Sequence, residues 1–104
     1  MESIKCNVDF RRCYHRGKCI VCPMFALYIN KTRRKTLRLG ITVSKKYGKA
    51  VIRNRARRII KEAFYQIQPL LPSGGYDIVI VARARLKNAA MQDVKRALEG
   101  LIKK

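Results

Sequence analysis

An α+β sandwich, with elements in the order αββαβα around a small sheet, is the fold this sequence predicts. Three observations carry the prediction. Two short stretches alternate apolar and polar residues, a third is almost continuously apolar, and three others gather apolar residues on one helical face. The chain has 104 residues, enough for one modest core, so a single domain over 1–104 is expected. Hydrophobic residues make up 48%, too many for a disordered polycation.

Asn7 to Tyr14 reads as a short first helix. Asn7 or Asp9 stands near its N-cap, Val8, Phe10, Cys13 and Tyr14 are its apolar positions, and Gly17 falls just past its end. Met24 to Ile29 reads as a strand with Phe25, Leu27 and Ile29 on one face and Ala26 and Tyr28 on the other. The polar, basic stretch Asn30 to Thr36 suggests a hairpin. It leads into a second strand, in which Leu37, Leu39, Ile41 and Val43 alternate with Arg38, Gly40 and Thr42. Ser44 to Lys49 breaks that pattern, and a long helix follows from about Ala50 to Gln68. Pro69 and the run Pro72-Ser73-Gly74-Gly75 end it. Tyr76 to Ala82 is a third strand, and its near-continuous apolar character places it at the centre of the sheet. From Asn88 or Ala89 a last helix runs to the C-terminus, with Met91, Val94, Leu98, Leu101 and Ile102 on one face. The helices are expected to cover one face of the sheet.

Charge narrows the function. Twenty-five Lys and Arg against six Asp and Glu leave a formal charge of +19. Such self-repulsion opposes a compact monomer, so a polyanionic partner is expected, with nucleic acid ahead of an anionic membrane. No apolar run approaches the roughly 20 residues of a spanning helix. Met1 to Cys6 lacks the apolar core of a signal peptide, so a soluble, cytoplasmic protein without membrane association is expected.

The long helix carries the strongest signal. At 100° per residue, Ile52, Ala56, Ile59, Ile60, Ala63 and Ile67 form one apolar stripe. Arg53, Arg57 and Lys61 stand four apart in a ridge beside it. Asn54 and Arg58 take the outer face, and Arg55 the opposite flank. Lys45, Lys46 and Lys49 precede the helix. A charge run is usually a solvated face, but solvated faces mix signs, and here Glu62 is the only acid. The planar fork of arginine suits bidentate phosphate contact, which favours RNA or DNA binding.

Val43-Ser44-Lys45-Lys46, Gly48, Ala50-Val51, Arg53-Asn54-Arg55, Arg57-Arg58 and Lys61-Glu62 together closely resemble the signature of bacterial ribonuclease P proteins. The resemblance extends to Asp9-Phe10 with Tyr14 and Gly17, to Phe25-Ala26-Leu27-Tyr28, to Arg38-Leu39-Gly40-Ile41, and to Gly75-Tyr76-Asp77-Ile78-Val79 with Arg83. It implies a ribosomal-protein-like fold, whose mixed sheet has a left-handed βαβ crossover through the arginine-rich helix, against the usual chirality. It implies that Lys45, Lys46, Lys49, Arg53, Asn54, Arg55, Arg57, Arg58 and Lys61 contact a catalytic RNA subunit. Phe10, Tyr14 and Tyr28 would line a cleft for the single-stranded 5′ leader of precursor tRNA, where any base can stack on a ring. The alternative for these rings is the core. The resemblance further implies that the RNA subunit performs the endonucleolytic cleavage with Mg²⁺, while the protein raises substrate affinity and screens phosphate repulsion. No protein-bound cofactor and no obligate protein partner are expected.

The chain's own residues agree that catalysis lies elsewhere. His15 is the single histidine, and the acids at 2, 9, 62, 77, 93 and 99 offer no spacing for a two-metal site or an acid/base couple. Cys6, Cys13, Cys19 and Cys22 include one C-x-x-C, whereas structural zinc sites usually present two close pairs, so plain thiols are expected. Competing readings are a ribosomal or general RNA-binding protein of similar fold, and a DNA-binding regulator with the Arg53–Lys61 helix in a major groove.

Overall fold

The computed structural model describes residues 2–4, 7–33, 36–71 and 75–102. Its elements are β1 (Glu2–Ser3), α1 (Asn7–Arg16), β2 (Lys18–Val21), β3 (Phe25–Lys31), β4 (Arg38–Thr42), α2 (Ala50–Ile67), β5 (Tyr76–Ala82) and α3 (Met91–Ile102). Short 3-10 turns cover Lys45–Tyr47, Gln68–Leu70 and Ala84–Asn88.

The five strands form one mixed sheet in the order β1-β4-β5-β3-β2. Apolar Ile78, Val79 and Ile80 are buried on both faces of β5, which takes the central position expected of it. β5 pairs antiparallel with β3, Phe25 opposite Ala82, and parallel with β4, Leu39 opposite Ile78. The expected hairpin through Asn30 to Thr36 is therefore absent, because β5 lies between β3 and β4. A six-residue connection, 32–37, easily spans two strand spacings of about 4.8 Å each, and pairing on both edges suits the strand that is apolar on both faces. Positions 34 and 35 of that stretch lie outside the described residues.

Two strands were not legible in the sequence. β1 has only two residues, and β2 is exposed apart from half-buried Ile20, so neither shows alternation. Main-chain pairing holds them, β1 to β4 and β2 to β3, with Cys19 opposite Tyr28.

Helices cover both faces of the sheet, not one as expected. Phe25, Leu27, Leu39, Val43, Ile78 and Ile80 meet α2 and α3 in the main core. Val79 and Val81 alternate with these residues along β5 and so face the other way. There Cys13 of α1 and Ile4 cover them. The buried stripe of α2 is Ala56, Ile60, Ala63, Phe64 and Ile67, with Ile59 half-buried. Ile52, expected in that stripe, is 40% exposed, and Phe64 belongs to it instead. In the first turn, the Ile52 side chain covers Gly48: a Cβ on Gly48 would stand 3.2 Å from Ile52 Cγ2. Val94 and Leu98 of α3 are fully buried, each contributing about 1.5–3 kcal/mol. Asp93 caps that helix by accepting the Ala90 N–H at 3.0 Å.

Candidate nucleic-acid interface

α1 lies close on the sheet because small residues let it. Cys13 is its one fully buried side chain, and a Cβ on Gly17 would stand 2.4 Å from the Cys13 carbonyl oxygen and 2.9 Å from that of Ile29. Along β4, every second residue meets the helix. Arg38 donates to Asp9 at 3.2 Å, Gly40 lies under the Phe10 ring, and the Thr42 hydroxyl shares a 2.9 Å hydrogen bond with that of Tyr14.

The polar anchor of this layer is a buried ion pair. Arg38 Nε and Nη2 donate to the two Asp77 carboxylate oxygens at 2.8 and 2.6 Å, a bidentate fork. These hydrogen bonds raise the pKa of Arg38 above its ordinary value, so it stays charged. The Cys13 thiol donates long hydrogen bonds to the carbonyls of Tyr28 and Asp77. Burial first, then the Asp77 charge, pushes its pKa up to about 11. It is a packing thiol, not a nucleophile.

The three predicted aromatic residues come together, each half-buried. Tyr14 and Tyr28 meet edge to face with centroids 4.9 Å apart, and Phe10 and Tyr14 are 6.5 Å apart. Hydrogen bonding to the Cys19 thiol raises the Tyr28 pKa. A groove of about 560 Å³ opens between α1 and the sheet, lined by Asn7, Phe10, Arg11, Tyr14 and Thr42. Tyr28 stands against Tyr14 and outside that lining. A second depression, about 210 Å³, also has Phe10 in its wall and reaches Lys61 and Tyr65 of α2. Phe10 thus separates the groove from the basic ridge.

On α2, Asn54, Arg55, Arg58 and Lys61 are exposed, as are Lys45, Lys46 and Lys49 before it, while Arg53 and Arg57 are half-buried. Among the described residues no carboxylate lies within 4 Å of any of these cations. The first turn of α2 has no acid and no side-chain cap, so its free N–H groups add to the positive field. Arg57 donates to Asn54 Oδ1 at 3.1 Å. The Nε of Arg53 is buried without a hydrogen-bond partner. Arg55 reaches away from the ridge, donating to the carbonyls of Lys87 and Ala89 at 3.4 Å each. Spacing alone could not show that, because the carbonyls come from a distant turn.

Sequence reasoning missed Asn7, Arg11 and Thr42 as groove residues, and it missed the union of Arg38 with Asp9 and Asp77. Thr42 could have been found from its alternation with Arg38 and Gly40. Asp77 could not, being 39 residues from its partner. Both acids are engaged by one guanidinium. Among the described residues, no three His, Cys, Asp or Glu side chains gather as a metal site would require. Cys6 lies outside the described residues.

Comparison with known proteins decides the family. The family model described as Ribonuclease P matches residues 1–104. This chain belongs to the ribonuclease P protein family. The ribonuclease P protein component of Clostridioides difficile is 40% identical over 108 residues, covering 99% of this chain and 90% of its own. The solved RNase P protein of Staphylococcus aureus matches with a TM-score of 0.86 at 34% identity, over 99% of this chain and 94% of that one. For the RNase P protein of Thermotoga maritima the values are 0.86, 30%, 99% and 96%. The parallel β4–α2–β5 connection implied by the ribonuclease P resemblance is present, with α2 joining neighbouring parallel strands.

Proposed function

We propose that this ribonuclease P protein, acting as one RNA-binding domain in the cytoplasm, holds two RNAs at adjoining surfaces. The catalytic RNA lies along α2 and the preceding loop, contacting Lys45, Lys46, Lys49, Arg53, Asn54, Arg57, Arg58 and Lys61. Arg55 contributes to the local field while it braces the turn before α3. The 5′ leader of precursor tRNA enters the groove beside α1, where Phe10 and Tyr14 offer ring faces and Tyr28 supports Tyr14. The observation that carries this reading is the position of Phe10, in the wall of the groove and of the depression that reaches Lys61.

Cleavage is assigned to the RNA subunit, where Mg²⁺ would activate water for phosphodiester hydrolysis. This chain supplies positive charge between two polyanions, which lowers the Mg²⁺ needed to bring them together. The test is reconstitution with a bacterial ribonuclease P RNA. At low Mg²⁺ the protein should restore 5′-leader removal. The Arg53→Gln/Arg57→Gln/Lys61→Gln variant should fold but bind that RNA more weakly, with a salt slope shallower by up to about 0.9 per lost phosphate contact. No rescue by the parent, or equal RNA affinity for parent and variant at moderate salt, would overturn the assignment.

A further inference from the structure

The two flanks of α1 differ. Cys13 points into the sheet, Phe10 and Tyr14 turn to one side of it, and Arg12 and Arg16, four residues apart, turn to the other. On that second side is a cavity of about 660 Å³ at the end of the sheet. Arg12 and Arg16 form one wall, and Asn30, Lys31, Thr32 and Arg33, from the end of β3 and the residues after it, form the other. The Arg38–Asp77 pair lies at its inner end.

Its charge is uncompensated. Asp77 is the one carboxylate among the lining residues, and Arg38 takes both its oxygens. Asp9 is shared between Arg38 at 3.2 Å and Arg12 at 3.6 Å. Among the described residues, no carboxylate lies within 4 Å of Arg16, Lys31 or Arg33. The C-terminal end of α1 favours a cation and so explains Arg16. That helix end does not explain Lys31 and Arg33 across the cavity, where three like charges face one concave space. A concave wall of one sign focuses field and concentrates counter-ions, and guanidinium groups fit phosphate oxygens in pairs.

We infer that this cavity is a phosphate subsite for an RNA backbone, separate from both the aromatic groove and the α2 ridge. The inference rests on the proposed RNA-binding function and adds a third contact surface to it. The chemistry recognised is adjacent phosphodiesters, from either the ribonuclease P RNA or precursor tRNA.

The experiment compares the parent with Arg16→Gln/Lys31→Gln/Arg33→Gln and with a control triple variant, Lys18→Gln/Arg85→Gln/Arg96→Gln. The control removes the same number of exposed cations elsewhere. Affinity is measured from 50 to 200 mM salt, first for ribonuclease P RNA alone and then for precursor tRNA with the assembled complex. For one of the two RNAs, the cavity variant should show a salt slope shallower by about 2–3. Across that range this amounts to roughly 15- to 60-fold less affinity lost than for the parent. The control should follow the parent more closely. A loss in the first arm identifies the enzyme's RNA as occupant, and a loss confined to the second identifies precursor tRNA. Unchanged slopes in both arms, or equal losses in the two variants, would overturn the subsite. If the parent itself failed to bind ribonuclease P RNA, the proposed function would fall and take this inference with it.

Discussion

Gly40→Ala tests whether the Phe10 ring is placed by the sheet and serves the groove. A Cβ at position 40 would stand 2.6 Å from Phe10 Cε1, 2.8 Å from Cζ and 3.3 Å from Ile4 Cβ. Carbon contacts relax near 3.5–4.0 Å, so the ring must retreat by about 1 Å. The obstacle is the far end of a side chain, not backbone, so overpacking should cost about 1–3 kcal/mol and leave the fold intact. Phe10 also walls the groove, and the retreat alters its stacking position. Precursor tRNA affinity should fall by about 1–3 kcal/mol, while mature tRNA, which lacks a leader, should bind as before. Thermal unfolding and the two tRNA affinities, measured on the reconstituted complex, separate the effects. Gly40→Ala/Phe10→Leu gives the room back, so it should recover melting temperature without recovering leader affinity. Unchanged melting and leader affinity in Gly40→Ala would refute the contact. Lost stability with full leader affinity would make Phe10 a core residue only.

Asp77→Asn keeps side-chain volume but removes the charge facing buried Arg38, whose side chain is 8% exposed. Asp9 remains at 3.2 Å, so the loss should sit near the low end of the range for a broken buried pair, about 3 kcal/mol by denaturant unfolding. A cost under about 1 kcal/mol would show that the pair does not anchor α1. The Cys13 thiol gives a pH dependence. Its pKa is about 11 folded against 9.0 for an ordinary thiol, so between those values the unfolded chain loses the proton first. Stability present below pH 9 is therefore lost as pH rises toward 11. Melting temperature should fall less steeply in that window for Cys13→Ala than for the parent, and identical slopes would refute the assignment.

The legible parts of this protein were those coded by local period or by excess of one charge. The α2 ridge was visible because Arg53, Arg57 and Lys61 repeat at helical spacing with Glu62 as the sole acid nearby. The central place of β5 was visible because Ile78, Val79 and Ile80 interrupt the usual alternation. Strand partners were not visible. A polar connection between two half-buried strands reads as a hairpin unless one knows that β5, more than 30 residues later, will insert between them. Ile52 illustrates a subtler limit. Periodicity gives a helix face but not where along the helix the neighbouring layer ends.

The groove follows from how α1 is held, and that holding is largely polar. The apolar cluster on its face is small, with Ile4, Cys13 and Val79 its buried members among the described residues. An additional fixed point is the Asp9–Arg38–Asp77 chain, which crosses from α1 through β4 to β5. Two glycines set the remaining clearances, Gly17 at the helix end and Gly40 under Phe10. A larger apolar contact would fill the space between helix and sheet, burying Phe10 and Tyr14 completely and leaving no open ring face. Charge pairing at one flank and missing side chains beneath the helix instead hold α1 close while its aromatic flank stays half open. The same residues that look unremarkable as core therefore define the depth of the groove.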